Sequence, residues 1–167
     1  VIAVFLVMAG TAYRSISGLS AEMGQVIATQ YQNTALANRL KNEVGEASRR
    51  MMAVLIMTDE AQIKKELEAI DQLMTAHAAT LSDLNGKAAD AQTQQQLKEI
   101  TGLRDKFVPA QAGFVKLVSE GSKDEALVKY MFAVRGVQGR YLAELDKFVH
   151  AQHEQMDAAA AVSATQA

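Results

Sequence analysis

Cysteine is absent from the 167 residues, which excludes thiol catalysis, disulfides and thiolate metal sites. Tryptophan is missing too, proline occurs once, and aromatics make up only 5% of the chain. Little is therefore available for strands or strand-rich cores. Alanine, leucine, glutamine, methionine, lysine and glutamate dominate instead, which is the composition of long helices. No Lys/Arg-rich run interrupts the chain, the net charge is -2, and the isoelectric point is near 5.9. A nucleic-acid partner held by electrostatics is not expected. HExxH, a helical Glu-x-x-His pair, a glycine-rich phosphate loop and a nucleophile beside a base are all missing. Catalysis, a cofactor and a metal are consequently not expected. His150 and His153 have a spacing that metals accept, but two solvated histidines are the plainer reading.

What is present begins with an uncharged, almost wholly apolar run, Val1–Tyr13. It is shorter than the ~20 residues of a membrane span. It flows into a helical pattern without the basic flank or small-residue cleavage site of a secretory signal. The run reads as the end of a first membrane helix whose beginning lies outside the sequence.

The remaining chain divides at few points. Thr58-Asp59-Glu60 marks a turn, with Asp59 as N-cap and Gln62 as capping-box partner. Asn85-Gly86 supplies a left-handed helix stop, and Asp90 caps the next helix. Glu120-Gly121 ends that helix, and Ser122-x-x-Glu125 forms another capping box. Four helices joined by short loops give an all-α, antiparallel up-down-up-down four-helix bundle with long first and last helices. Apolar spacing of four and three supports it. The seams read Leu40, Val44, Ala47, Met51, Val54 and Thr58; Ile63, Leu67, Ile70, Met74, His77, Leu81 and Leu84; Ile100, Arg104, Phe107, Gln111, Phe114 and Val118; and Leu127, Met131, Val134, Gln138, Tyr141, Leu145 and Phe148.

Polar residues stand in these seams where a plain bundle would carry leucine. His77, Arg104 and Tyr141 fall within one or two turns of one another when counted from the loops. Gln111 and Gln138 lie nearer the tip, with Arg50 and Arg135 on the flanks. A buried arginine requires an anion, which is either a side chain such as Glu43 or Asp71 or a ligand. Its planar fork suits a carboxylate. The candidate ligand-binding set is Arg50, His77, Arg104, Gln111, Arg135, Gln138 and Tyr141. Pro109, inside the third helix, is expected to kink it beside Arg104 and Gln111.

The stretches Asn38–Asp71, Leu117–Leu127 and Tyr141–Met156, in this helical arrangement, resemble the periplasmic four-helix-bundle sensor domain of bacterial methyl-accepting chemotaxis proteins. The resemblance implies that residues 1–13 end a first transmembrane helix and residues 14–167 form a sensor domain in the periplasm, anchored in the bacterial inner membrane. It implies a homodimer through helix 1, whose oligomeric state ligand can influence, and a signal carried by helix 4. The arginine spacing of aspartate-sensing relatives is not reproduced by Arg49 and Arg50. The expected ligand is therefore a small organic acid, a di- or tricarboxylate of the malate or citrate type. A histidine-kinase sensor domain and a structural or partner-binding bundle without a ligand are the alternatives.

Overall fold

The computed structural model describes the backbone of residues 2–88 and 90–164, and the side chains of residues 23–88, 90–162 and 164. Every element among them is helical: α1 (Ile2–Ile56), α2 (Glu60–Gly86), α3 (Ala91–Ser119), α4 (Lys123–Lys129), a π-helical turn (Tyr130–Val134) and α5 (Arg135–Ala164). The last three run on as one fourth helix. The chain is the all-α four-helix bundle that the seams imply. The apolar side chains of Val1–Tyr13 lie outside the described residues, although the backbone from Ile2 is helical. Among the described residues no helix is long and apolar enough to cross a membrane.

Three of the expected helix boundaries form as chemistry demands. The Asp59 carboxylate accepts from the backbone N–H of Gln62 at 3.0 Å, and that of Asp90 accepts from Thr93 at 2.8 Å. Gly121, at φ +80°, closes α3 in a Schellman turn: its N–H donates to Val118 O, and Ser122 N–H donates to Leu117 O. Two other boundaries differ. Asn85 and Gly86 do not form a left-handed stop; α2 continues through both, and the Asn85 amide donates to Leu81 O inside the helix. Ser122 makes no side-chain cap. Its N–H is committed to the Schellman turn, and its ψ of 60° departs from the extended backbone that aims a capping hydroxyl.

The core follows the four-and-three spacing. Leu40, Val44, Ala47, Met51 and Val54 of α1 are buried against Ile70, Leu81 and Leu84 of α2, Ile100, Phe107 and Phe114 of α3, and Leu145 and Phe148 of α5. Each such side chain larger than alanine contributes about 1.5–3 kcal/mol by leaving water. Packing is closest between α1 and α2 and between α1 and α5, while α3 lies against α4 and α5. Two seam assignments fail. Thr58 is exposed in the turn beyond the end of α1, which stops at Ile56. Leu127 and Met131 are both 44% exposed, and Ala126 and Tyr130 take their places in the core. The π turn is the cause. It accommodates one residue more than an α turn, so the helix above it is rotated by one position relative to the seam below.

Candidate functional site

Near mid-bundle, four helices bring polar groups to the core. Heptad spacing on α2 points His77 inward, and the same spacing on α5 points Tyr141 inward; both are fully buried. The Tyr141 hydroxyl lies 2.9 Å from His77 Nε2, and the rings meet edge to face. On the other side, His77 Nδ1 stands 3.4 Å from Oε2 of Glu43, a buried carboxylate of α1. The second Glu43 oxygen accepts from Thr80 Oγ1 at 3.0 Å and from Arg39 Nε at 2.9 Å. A continuous polar chain therefore runs Arg39–Glu43–His77–Tyr141, with Thr80 at its side. Burial pushes the His77 imidazole below its usual range; Glu43 pulls it upward, and Arg104 pushes it further down. Burial also raises the Tyr141 phenol well above its ordinary value.

Arg104 completes this layer from α3. Its charge acts on both His77 and Tyr141, while its Nε is buried without a hydrogen-bond partner. The guanidinium meets Asp105, its exposed neighbour, at 3.3 Å. One layer toward the tip, Ser48 joins the Tyr130 hydroxyl at 2.7 Å and donates to Gln138 Oε1 at 3.1 Å. Gln111 is buried with its Oε1 unpartnered. A third polar layer lies toward the other end of the bundle, where Asn33 donates to Gln152 at 3.0 Å and Gln30 donates to Gln155 at 2.5 Å.

The structure thus brings His77, Tyr141 and Arg104 together and places Gln111 and Gln138 in the core. Arg50 stands elsewhere, in the α1–α2 groove, bound to Glu66 at 2.6 Å and Glu46 at 3.0 Å. Arg135 is exposed on α5. Neither arginine is among the groups that touch or act on His77 and Tyr141. Glu43, Ser48, Thr80 and Tyr130 are members of the polar layers that seam counting does not pick out. His150 lies 3.3 Å from Glu154 on the surface. No group of three histidine or carboxylate side chains that could hold a metal occurs among the described residues.

Two open clefts cap the bundle. One, of about 710 Å³ beside the distal turns, is floored by Ile63, Leu67 and Val118 and flanked by Lys64 and Lys123. The other, of about 770 Å³, lies where α1 and α5 pass the α2–α3 loop, with Asn33 and Gln30 among its walls. None of the seven candidate residues lines either cleft.

The arrangement offers hydrogen bonding and charge recognition. A family described as a four-helix-bundle sensory module for signal transduction matches residues 1–167. No curated protein matches the chain. With the bundle and its seams on the page, the chain belongs to the four-helix-bundle sensory modules of methyl-accepting chemotaxis proteins, a family of signal transduction and not of enzymes.

Proposed function

We propose that this module is the extracytoplasmic sensor of a chemoreceptor and that it reports a small organic acid, a di- or tricarboxylate, to the signalling machinery through its fourth helix. The observation that carries the reading is Arg104. Its guanidinium lies at the edge of a core layer contributed by all four helices, with a buried Nε lacking an acceptor and only the neighbouring Asp105 as an ion partner. A carboxylate supplies two parallel acceptors for that fork and is the group best suited to relieve it. His77 and Tyr141 stand beside it, and Gln111 offers a free buried Oε1 to a hydroxyl of the ligand. Arg50 and Arg135 serve as entry charges, since one is held by two glutamates and the other is exposed.

The module acts as a homodimer paired along α1, anchored by membrane helices and displayed in the periplasm. Support for pairing comes from the outer face of α1. Tyr31, Ala35, Asn38, Asn42, Gly45, Arg49, Met52 and Ile56 recur at four and three residues, the spacing of a coiled-coil seam. All except Gly45 are exposed, with Tyr31 at 70% and Ile56 at 85%. The uncharged Val1–Tyr13 run supports the anchor.

The test is a thermal-shift screen against organic acids and amino acids at fixed pH and salt, repeated on Arg104→Ala. Binding at a hundredfold excess over Kd stabilises the native state by about 2.7 kcal/mol. A selective rise with one or two polycarboxylates, lost in Arg104→Ala, is the expected result. A flat response throughout the panel would instead support a structural or partner-binding bundle.

A further inference from the structure

The amide layer nearest the α2–α3 loop is only half used. Asn33 of α1 is 2% exposed and Gln152 of α5 is fully buried, and one hydrogen bond of 3.0 Å joins them, from Asn33 Nδ2 to Gln152 Oε1. The other half of each amide, Asn33 Oδ1 and Gln152 Nε2, is buried with no partner. One is an acceptor and the other a donor. Exchanging nitrogen and oxygen on both amides changes which residue offers which, and one of each stays free. Buried amides in folded proteins are nearly always paired, so these free edges call for a partner. Asn33 Nδ2 also reaches Gln30 Oε1 at 3.5 Å, and Gln30 Nε2 donates to Gln155.

The cleft in front of these amides has the size and lining of a small-molecule site. Its volume of about 770 Å³ falls within the ~300–1,000 Å³ of ligand pockets. Gln30, Asn33 and Gln155 form a polar wall. Met23, Val26, Ala158 and Val162 form an apolar one, with Val26 40% and Val162 39% exposed. The charges at the rim are opposite in sign and already engaged. Lys87 donates to Gln32 at 2.9 Å, and the Asp90 carboxylate caps α3 through the N–H of Thr93. A charged ligand therefore finds no free counter-ion among the described lining residues. The amides lack one donor and one acceptor, and an uncharged amide carries both on a single group. Because Asn33 and Gln152 are already joined by one bond, a single inserted amide can reach the free edge of each.

We infer that this cleft is a ligand site separate from Arg104 and that it takes a small uncharged amide, a primary carboxamide or a lactam, carried on an apolar body. The ligand N–H donates to Asn33 Oδ1, and the ligand carbonyl accepts from Gln152 Nε2. The apolar body lies against Met23, Val26 and Ala158. Entry requires Gln155 to withdraw; its side chain is half-buried and is held by its bond to Gln30. The ligand completes one amide on α1 and one on α5, so occupancy ties these two helices together at this end of the bundle. It touches none of Arg104, His77 and Tyr141, and the reading requires no organic acid.

The test titrates benzamide into the full chain in detergent micelles and follows the side-chain amide groups by nitrogen NMR. Benzamide should shift the signals of Asn33 and Gln152 to a saturating value. Ethylbenzene has the apolar body without the amide, and benzoate has acceptors only; each should bind about tenfold more weakly. Asn33→Leu should weaken benzamide binding about tenfold as well. Ala158→Trp, at an exposed wall position, should close the cleft while leaving both amides in place, and it decides alone should Asn33→Leu fail to fold. Arg104→Ala should bind benzamide as wild type does, which separates this site from the carboxylate site. The absence of any shift at Asn33 and Gln152 overturns the inference and leaves their free edges to buried water. Equal affinity for ethylbenzene or benzoate overturns it too. So does undiminished binding in Asn33→Leu or Ala158→Trp, or lost binding in Arg104→Ala.

Discussion

Glu43 lies on the buried face of α1 beside Val44; one carboxylate oxygen accepts from Arg39 and Thr80, and the other stands 3.4 Å from the His77 ring. Removing it in Glu43→Ala leaves Thr80 with the Ala76 carbonyl as its acceptor but leaves His77 Nδ1 facing no anion in the core, at a cost of about 1–3 kcal/mol for the buried group stranded. Chemical denaturation at pH 7 checks this. The pH dependence has a defined sign. His77 binds its proton less readily in the folded chain than in the unfolded one. The stability linked to it is therefore fully present above about pH 6.5 and is lost as pH falls from there toward the lowered folded value. Unfolding midpoints measured through this window should decline more steeply for wild type than for His77→Gln. Equal slopes would show that His77 is not the linked group. Of this layer, His77, Tyr141 and Arg104 are legible in the sequence because each interrupts an apolar heptad. Glu43 was readable only as a possible anion for Arg104 and Thr80 not at all, because each flanks a seam position, and only the rotation of α1 against α2 turns them inward toward His77. Arg104 occupies a seam position yet is only half-buried, since its long stem carries the guanidinium to the edge of the core.

At the level of the helix, the π turn at Tyr130–Val134 is the feature that apolar spacing misjudges. The sequence allows an unbroken four-and-three pattern through Leu127 and Met131. The chain instead buries Tyr130, which packs on Phe114 at 6.0 Å between centroids and satisfies its hydroxyl on Ser48. An aromatic ring and a paired hydroxyl outweigh a thioether and an isobutyl group left half in water. The buried positions then read Ala126, Tyr130, Val134, Gln138, Tyr141, Leu145 and Phe148, with one residue too many between Tyr130 and Val134 for an α-helical seam. Deleting Phe132, which is 85% exposed, restores regular spacing without moving either half of the core. The deletion variant should fold with a midpoint equal to or above wild type, as read by circular dichroism. A collapse in stability would show that the π turn serves more than helix phase. The N-caps at Asp59 and Asp90 and the Gly121 turn were readable, because each depends on one residue's own chemistry. The end of α2 was not, because Asn85 and Gly86 tolerate α-helical backbone as readily as a turn.

The whole molecule presents an inward heptad and an outward one on the same first helix. The inward stripe is filled by α2, α3 and α5. The outward stripe from Tyr31 to Ile56 is exposed. If it pairs with its counterpart in a second copy, Asn42→Cys should form an intermolecular disulfide under mild oxidation. Ser82→Cys, exposed on α2 away from that stripe, should not. Equal cross-linking at both sites would remove the support for pairing along α1. The sequence by itself determined the all-helical class, the four-helix division and most of the core, because periodicity and missing residue types are properties of the chain alone. Only tertiary structure decided which polar groups meet. His77 and Tyr141 lie 64 positions apart, and Ser48 and Tyr130 lie 82 apart. The rotation of each helix about its axis, set by how side chains fill the shared interior, selects those partners and leaves Arg50 with Glu66 instead.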